Sequence, residues 1–240
     1  MAASLFEGER AIDNPGAPLL LRAPLRLCAV GASGSGKTTA VLQCVVLPEL
    51  SPFGIVVWAA PAASLRQVKL ANAKALLDER AAARGLAEGL ILVPCDDGID
   101  TRRIEDIVDE AFELGLASLI VFDDLLFSKK DDHAYMANLF VNGRHRLVSV
   151  CECRQRVFGG SSVARDTRLQ CNAFILAKFG QADEVRRLAG QICAGKAEAE
   201  RMTALWARCV AAPHGFLLVD LQGDGPFRFR ESGLARGFSA

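Results

Sequence analysis

Apolar residues in this chain come in short continuous runs, separated by stretches that alternate between helix-forming and turn-forming composition. Runs at 25–30, 54–61, 90–94, 119–122, 147–153 and 173–179 have the length and residue types of strands. They lack in-out alternation, which marks strands buried on both faces. Between them lie helix-forming stretches at 39–46, 64–84, 101–114, 134–142, 182–192 and 197–210, the one at 101–114 clearly amphipathic. Strand alternating with helix predicts an α/β fold built on a mostly parallel sheet covered by helices on both faces. Apolar segments at 215–221 and 226–230, joined by Gln222-Gly223-Asp224-Gly225, add a C-terminal antiparallel hairpin. Residues 1–24 carry Asn14-Pro15-Gly16, Pro18 and Pro24, and read as an irregular lead-in with room for an edge strand at 19–22. Residues 25–240 then read as a single domain, with 128–133 a charged, exposed break.

One stretch adds chemistry to this pattern. Gly31-Ala32-Ser33-Gly34-Ser35-Gly36-Lys37-Thr38 follows the first apolar run and opens, at Thr39, into the first helix. Strand, glycine-rich loop and helix in that order make a phosphate-binding loop, and the fold class becomes that of a P-loop NTPase. The three glycines let backbone N–H groups turn inward at a helix N-terminus, whose partial positive charge favours anions. Lys37 is placed to reach the terminal phosphates of ATP, and Thr38 to offer a hydroxyl to Mg2+.

Composition sharpens the picture mainly by exclusion. Lys and Arg number 28 and Asp and Glu 28, so no global field draws in a polyanion, and a nucleic-acid partner must meet a local basic patch. The eight cysteines include no CxxC pair and read as small core residues of a reducing compartment. Cys151 and Cys153 share a strand face without the partners a zinc site needs. No apolar run approaches the roughly 18 residues of a membrane span, so no membrane insertion is expected.

The run at 119–122 ends in Asp123-Asp124. A carboxylate at such a strand tip is expected at the carboxyl edge of a strand neighbouring the phosphate loop. Asp123 is therefore assigned to the magnesium shell, through water, and Asp124 to polarising the attacking water. Further on, Arg144, Arg146, Arg154, Arg156, Arg165 and Arg168 crowd one stretch with few acids. They bracket a strand whose carboxyl end should face the nucleotide, which favours a functional basic face over a merely solvated one.

With the phosphate loop, Asp123-Asp124 and the Gly143-Arg144-His145-Arg146 turn feeding a strand that ends near Gln155, the chain resembles the DNA-packaging ATPases of poxviruses and other large nucleocytoplasmic DNA viruses. These belong to the FtsK/HerA superfamily of DNA-translocating motors, and the resemblance runs from Leu25 to Arg230. It implies that Gln155 senses the γ-phosphate and that Arg144 acts in trans on a neighbouring subunit's nucleotide. It also implies a homo-oligomeric ring of five or six copies, double-stranded DNA as the cargo, docking to capsid vertex or portal components, and a place at the intracellular assembly site of an infected host. Arg168 fits a further arginine of the family. The chain departs from the family pattern at Arg154, where a small hydroxylic residue is usual, and at Asp124, where glutamate is common in the superfamily. DNA grip falls to Lys129, Lys130 and the loop at 158–162 as candidates. The alternatives are a cellular or plasmid DNA translocase of the same superfamily and, with the stretch 154–168 as an arginine-rich lid, a small-molecule kinase or nucleotide switch.

Overall fold

Strands that bury both faces cannot stand at a surface, and the architecture follows from covering them. In the computed structural model, residues 23–48, 51–125, 130–158, 167–180, 182–222 and 229–231 are described. Among them, β1 (Arg26–Val30), β2 (Ile55–Ala60), β3 (Leu90–Pro94), β4 (Ser118–Asp123), β5 (Val148–Arg154) and β6 (Ala173–Leu176) lie parallel. β7 (Leu217–Asp220) and β8 (Phe229–Glu231) extend the sheet antiparallel, and the order across it is β3-β2-β4-β5-β1-β6-β7-β8. The helices are α1 (Lys37–Val41), α2 (Ala62–Leu65), α3 (Val68–Ala82), α4 (Thr101–Glu113), α5 (Lys130–Asn142), α6 (Ala182–Ile192) and α7 (Lys196–Cys209).

The side-chain period of two along each strand divides the core into two layers. Val56, Trp58, Leu119, Val121, Cys151 and Cys153 pack with Val41 of α1 and with Leu70, Ala73 and Leu77 of α3. Val57, Ala59, Ile120, Phe122 and Val150 point the other way, to Ile104 and Val108 of α4, Leu139 and Phe140 of α5, Leu188 of α6 and Leu205 of α7. Trp58 is fully buried in the first layer. Trp206 belongs to the second, where its Nε1 donates to the Ala177 carbonyl at 3.2 Å and its ring lies 5.3 Å from that of Phe179. All eight thiols are free, seven of them buried and Cys193 partly so. Among the described residues no helix is long and apolar enough to cross a membrane.

Local departures from the pattern have local causes. The helix expected over 64–84 breaks at Arg66-Gln67, leaving α2 as a single turn before α3. α1 continues as a wider π-type turn over Leu42–Val46, closed by the Leu47 N–H donating to the Leu42 carbonyl at 2.8 Å. α5 begins at Lys130, so much of the expected charged break is helical, with Asp131 and Asp132 in the first turn where the helix dipole favours acids. Asp132 is buried there and accepts from the Ile99 N–H at 3.3 Å. The expected edge strand at 19–22, residues 223–225 of the expected hairpin turn, Lys129, residues 159–162 and Arg165 lie outside the described residues.

The tip of β5 is held by a buried ion pair. Arg154 donates to Glu152 on the same strand face and to the Thr167 hydroxyl. Burial pushes the Glu152 carboxyl above its usual range, and the charge of Arg154 opposes that shift. Leaving one buried charge alone costs about 3–5 kcal/mol, whereas replacing both by apolar groups is close to neutral. Glu152→Leu is therefore expected to lower stability in urea unfolding by about 3–5 kcal/mol, and the double substitution with Arg154→Leu to recover most of the loss. Additive losses would contradict the coupling.

Candidate functional site

The phosphate loop is anchored on both sides before it turns. The Gly31 N–H donates to the Arg154 carbonyl at 3.0 Å, continuing the β1–β5 ladder, and the Ala32 N–H donates to the Lys178 carbonyl at 2.9 Å beyond β6. A Cβ on Gly31 would overlap Ser35 Oγ and Ala177 Cβ, so only glycine fits. Gly36 caps α1 at φ 94°, a left-handed conformation, with His214 close against it. Lys37 is buried, and its Nζ donates back to the carbonyls of Gly31 (2.8 Å) and Ala32 (3.0 Å). The lysine thus closes the loop on itself.

The acids reach the loop by an unexpected route. β4 does not neighbour β1, because β5 lies between them. Register brings Asp123 beside Cys153 and Val30 beside Arg154, so the strands end together. α1 then spans the gap, and Thr38 Oγ1 donates to Asp123 Oδ2 at 2.8 Å. Asp123 is buried, whereas Asp124 is exposed and takes φ 55°, which turns the chain off the strand. From the tip of the intervening strand, Gln155 Nε2 donates to Asp124 Oδ1 at 3.2 Å. Threonine and aspartate oxygens are the hard donors that Mg2+ requires, and two adjacent corners of its octahedron lie roughly 3 Å apart. The Thr38–Asp123 pair fits that group. No described cluster of three His, Cys, Asp or Glu could hold a metal alone, so the remaining ligands must be water or substrate oxygens.

A cleft of about 420 Å³ opens over this arrangement, within the range of small-molecule sites. Ser33, Gly34, Gly36, Lys37, Thr38, Thr39, Asp123 and Asp124 line it, while Gly31, Ala32 and Ser35 form the loop behind. Sequence reasoning missed the other walls. Ser64, Gln67 and Lys69 arrive from the α2–α3 junction, Gln43 from the π-type turn that continues α1, and His214 and Phe216 from the segment before β7. Topology would have found them. β2 adjoins β4, so its exit passes over Asp123. β7 runs antiparallel to β6 with Leu217 opposite Leu176, so its entry lies at the same sheet edge. Burial pulls the Lys69 ammonium below its usual range and Lys37 pulls the same way, against the opposing charge of Asp123.

The basic stretch is not an open face, and that expectation is corrected. Arg146 pairs with Glu105 (2.7 Å) and Asp109 (2.8 Å) of α4. Arg154 is in the buried pair described above, and Arg156 lies 3.4 Å from Glu184. Arg168 donates to the Val157 carbonyl at 3.2 Å and stacks 4.4 Å from the Phe158 ring. Glu184 also accepts from the N–H groups of Val157 and Phe158, which fixes the chain just after Gln155. Arg144 differs. It is exposed on the 3-10 turn Gly143–Arg146 and makes no side-chain hydrogen bond or ion pair with a described residue. It stands at the amino end of β5, separated from its own cleft by roughly 20 Å of strand.

No family model matches the chain, and no curated protein matches it in sequence. Solved structures do match in fold. The crystal structure of B204, the DNA-packaging ATPase from Sulfolobus turreted icosahedral virus, superposes with a TM-score of 0.57 at 13% identity over 88% of this chain and 98% of that one. The genome-packaging NTPase B204 from Sulfolobus turreted icosahedral virus 2 in complex with AMPPCP gives 0.54 at 12% identity, over 87% and 96%. The same protein bound to ATP-gammaS gives 0.53 at 14%, over 88% and 97%. At these identities the likeness is one of fold: a P-loop ATPase sheet with an antiparallel C-terminal extension.

The left-handed turn at Asp124 yields a direct check. Asp124→Gly should remain within about 1 kcal/mol of the parent in urea unfolding, whereas the β-branched Asp124→Val should lose about 1–2 kcal/mol to backbone strain. Equal stability of the two variants would contradict a strained tip.

Proposed function

We propose that this chain is a Mg2+-dependent ATPase that drives double-stranded DNA into a viral capsid, and that residues 25–240 act as its single motor domain. The observation that carries the reading is the Thr38–Asp123 hydrogen bond, which joins the phosphate loop to an acidic strand tip with Gln155 and Asp124 in contact beside it. Phosphoryl transfer asks for charge neutralisation and an oriented water more than for covalent chemistry. Mg2+, held by Thr38 and Asp123 together with ATP oxygens, would neutralise the terminal phosphates. Lys37 leaves the loop carbonyls for those phosphates, and the N–H groups from Gly31 to Thr39 cradle them. Asp124 accepts a hydrogen bond from the attacking water and orients it. Gln155 holds Asp124 in position and reports whether the γ-phosphate is present.

Arg144 lies too far from its own cleft to serve it, and its side chain has no described partner. A guanidinium with that address suits a neighbouring copy's nucleotide. This supports a ring of five or six subunits around the DNA, docked at a capsid vertex or portal in the infected cell. The fold likeness to B204, a viral DNA-packaging ATPase, over 88% of this chain supports the packaging reading. The kinase reading loses ground because two described arginines of its lid, Arg154 and Arg168, are tied to neighbouring groups of the chain, and the exposed Arg156 pairs with Glu184.

The test mixes two defective proteins. Arg144→Ala, and separately the double variant Asp123→Asn with Asp124→Asn, should each fall on the order of a thousandfold in DNA-stimulated ATP hydrolysis. Their mixture should regain a substantial fraction of the parent rate. A mixture no faster than its components would contradict an arginine supplied in trans.

A further inference from the structure

The α2–α3 junction brings to the cleft a charge that the site as read so far does not use. Lys69 lies in the first turn of the 15-residue helix α3, where the macrodipole disfavours a cation. The charge of Lys37 acts on it as well, and its ammonium is partly buried. Each of these conditions costs free energy in the protein alone. Asp123 attracts it across the cleft, yet no hydrogen bond or ion pair with a described residue holds it. At the same end of α3 the N-cap Gln67 makes no side-chain capping hydrogen bond, and its carbonyl accepts from the Leu70 and Ala71 N–H groups at 3.0 and 3.2 Å. A half-buried lysine on a surface helix usually reaches for water or an acid. This one is aimed at a cleft already lined by Lys37 and two carboxylates.

Net charge shows what is missing. Lys37 and Lys69 balance Asp123 and Asp124, so the cleft is close to neutral, while Mg-ATP brings two negative charges in excess. The excess sits on the terminal phosphate, next to the acid tip of β4. β2 adjoins β4 in the sheet, so a side chain leaving the β2 exit approaches that phosphate from the side opposite Lys37.

Resting on the nucleotide-site reading above, we infer that Lys69 is a second phosphate-binding lysine, one that touches the γ-phosphate of ATP in the same subunit and so distinguishes triphosphate from diphosphate. Lys37 grips both nucleotides through the β-phosphate. Lys69 finds its acceptor only when the third phosphate is present. Loss of that phosphate on hydrolysis returns Lys69 to an uncompensated position, which weakens the hold of α3 on the product.

Calorimetric titration of the parent, Lys69→Ala, Lys69→Arg and Lys37→Ala with Mg-AMPPCP and with Mg-ADP separates the possibilities. A charge-assisted hydrogen bond to phosphate corresponds to roughly ten- to hundredfold in affinity. Lys69→Ala should lose about that factor for the triphosphate analogue and keep its ADP affinity within about twofold, and Lys69→Arg should restore most of the loss. Thermal unfolding without nucleotide supplies the structural control: Lys69→Ala should be no less stable than the parent, because it removes an unfavourable charge. Equal losses for both nucleotides, or no loss for either, would overturn the assignment while leaving the nucleotide site intact. A parent that binds neither nucleotide, or a Lys37→Ala variant that binds both unchanged, would overturn the site reading and this assignment with it.

Discussion

A single hydrogen bond, from the Thr38 hydroxyl to the Asp123 carboxylate, completes the bridge that α1 makes over β5 and makes one site out of two strand ends. β1 delivers the glycine-rich loop and β4 the acids, and the strand between them would keep the two apart if α1 did not lean across. The distance is short because three parallel strands end in register, with Val30 beside Arg154 and Cys153 beside Asp123. Register in a sheet buried on both faces is strongly specified, since a slip of one residue would exchange the two core layers. The chemistry of the cleft therefore depends on packing far from it, on Trp58 and Val121 in one layer and Phe122 and Val57 in the other.

The intervening strand also leads directly into Gln155, and its tip is held from both sides. Glu152, Arg154 and Thr167 form a buried polar knot on one side of Gln155, and Glu184 takes the next backbone amides on the other. Desolvating Glu152 and Arg154 is costly, and an apolar pair would stabilise the fold as well or better. Rigidity is what the arrangement supplies. Gln155 meets Asp124 from a fixed platform, and a contact that long (3.2 Å) tightens or breaks with small shifts of the acid.

Much of this was legible in the sequence because both-face burial writes itself as unbroken apolar runs. The strands at 90–94 and 119–122, the helix at 101–114 and the phosphate loop all followed from local pattern. What stayed hidden depends on strand order, which no local pattern encodes. Asp123 was expected on a strand next to β1 and lies one strand further away. Lys69 and His214 fall in unremarkable segments, a lysine in an alanine-rich helix and a histidine before a glycine. They reach the cleft only because β2 adjoins β4 and β7 reverses direction. The arginine-rich stretch misled for the opposite reason: apart from Glu152, the acids that answer it, Glu105, Asp109 and Glu184, are distant in sequence.

If the Thr38–Asp123 pair is the seat of the metal, then metal and nucleotide should be thermodynamically linked through it. ATP affinity measured against Mg2+ concentration, in the parent and in Asp123→Asn, reads that linkage directly. The account predicts that the two proteins bind ATP alike in the presence of a chelator and that only the parent gains affinity as Mg2+ is added. An equal gain in Asp123→Asn would contradict it.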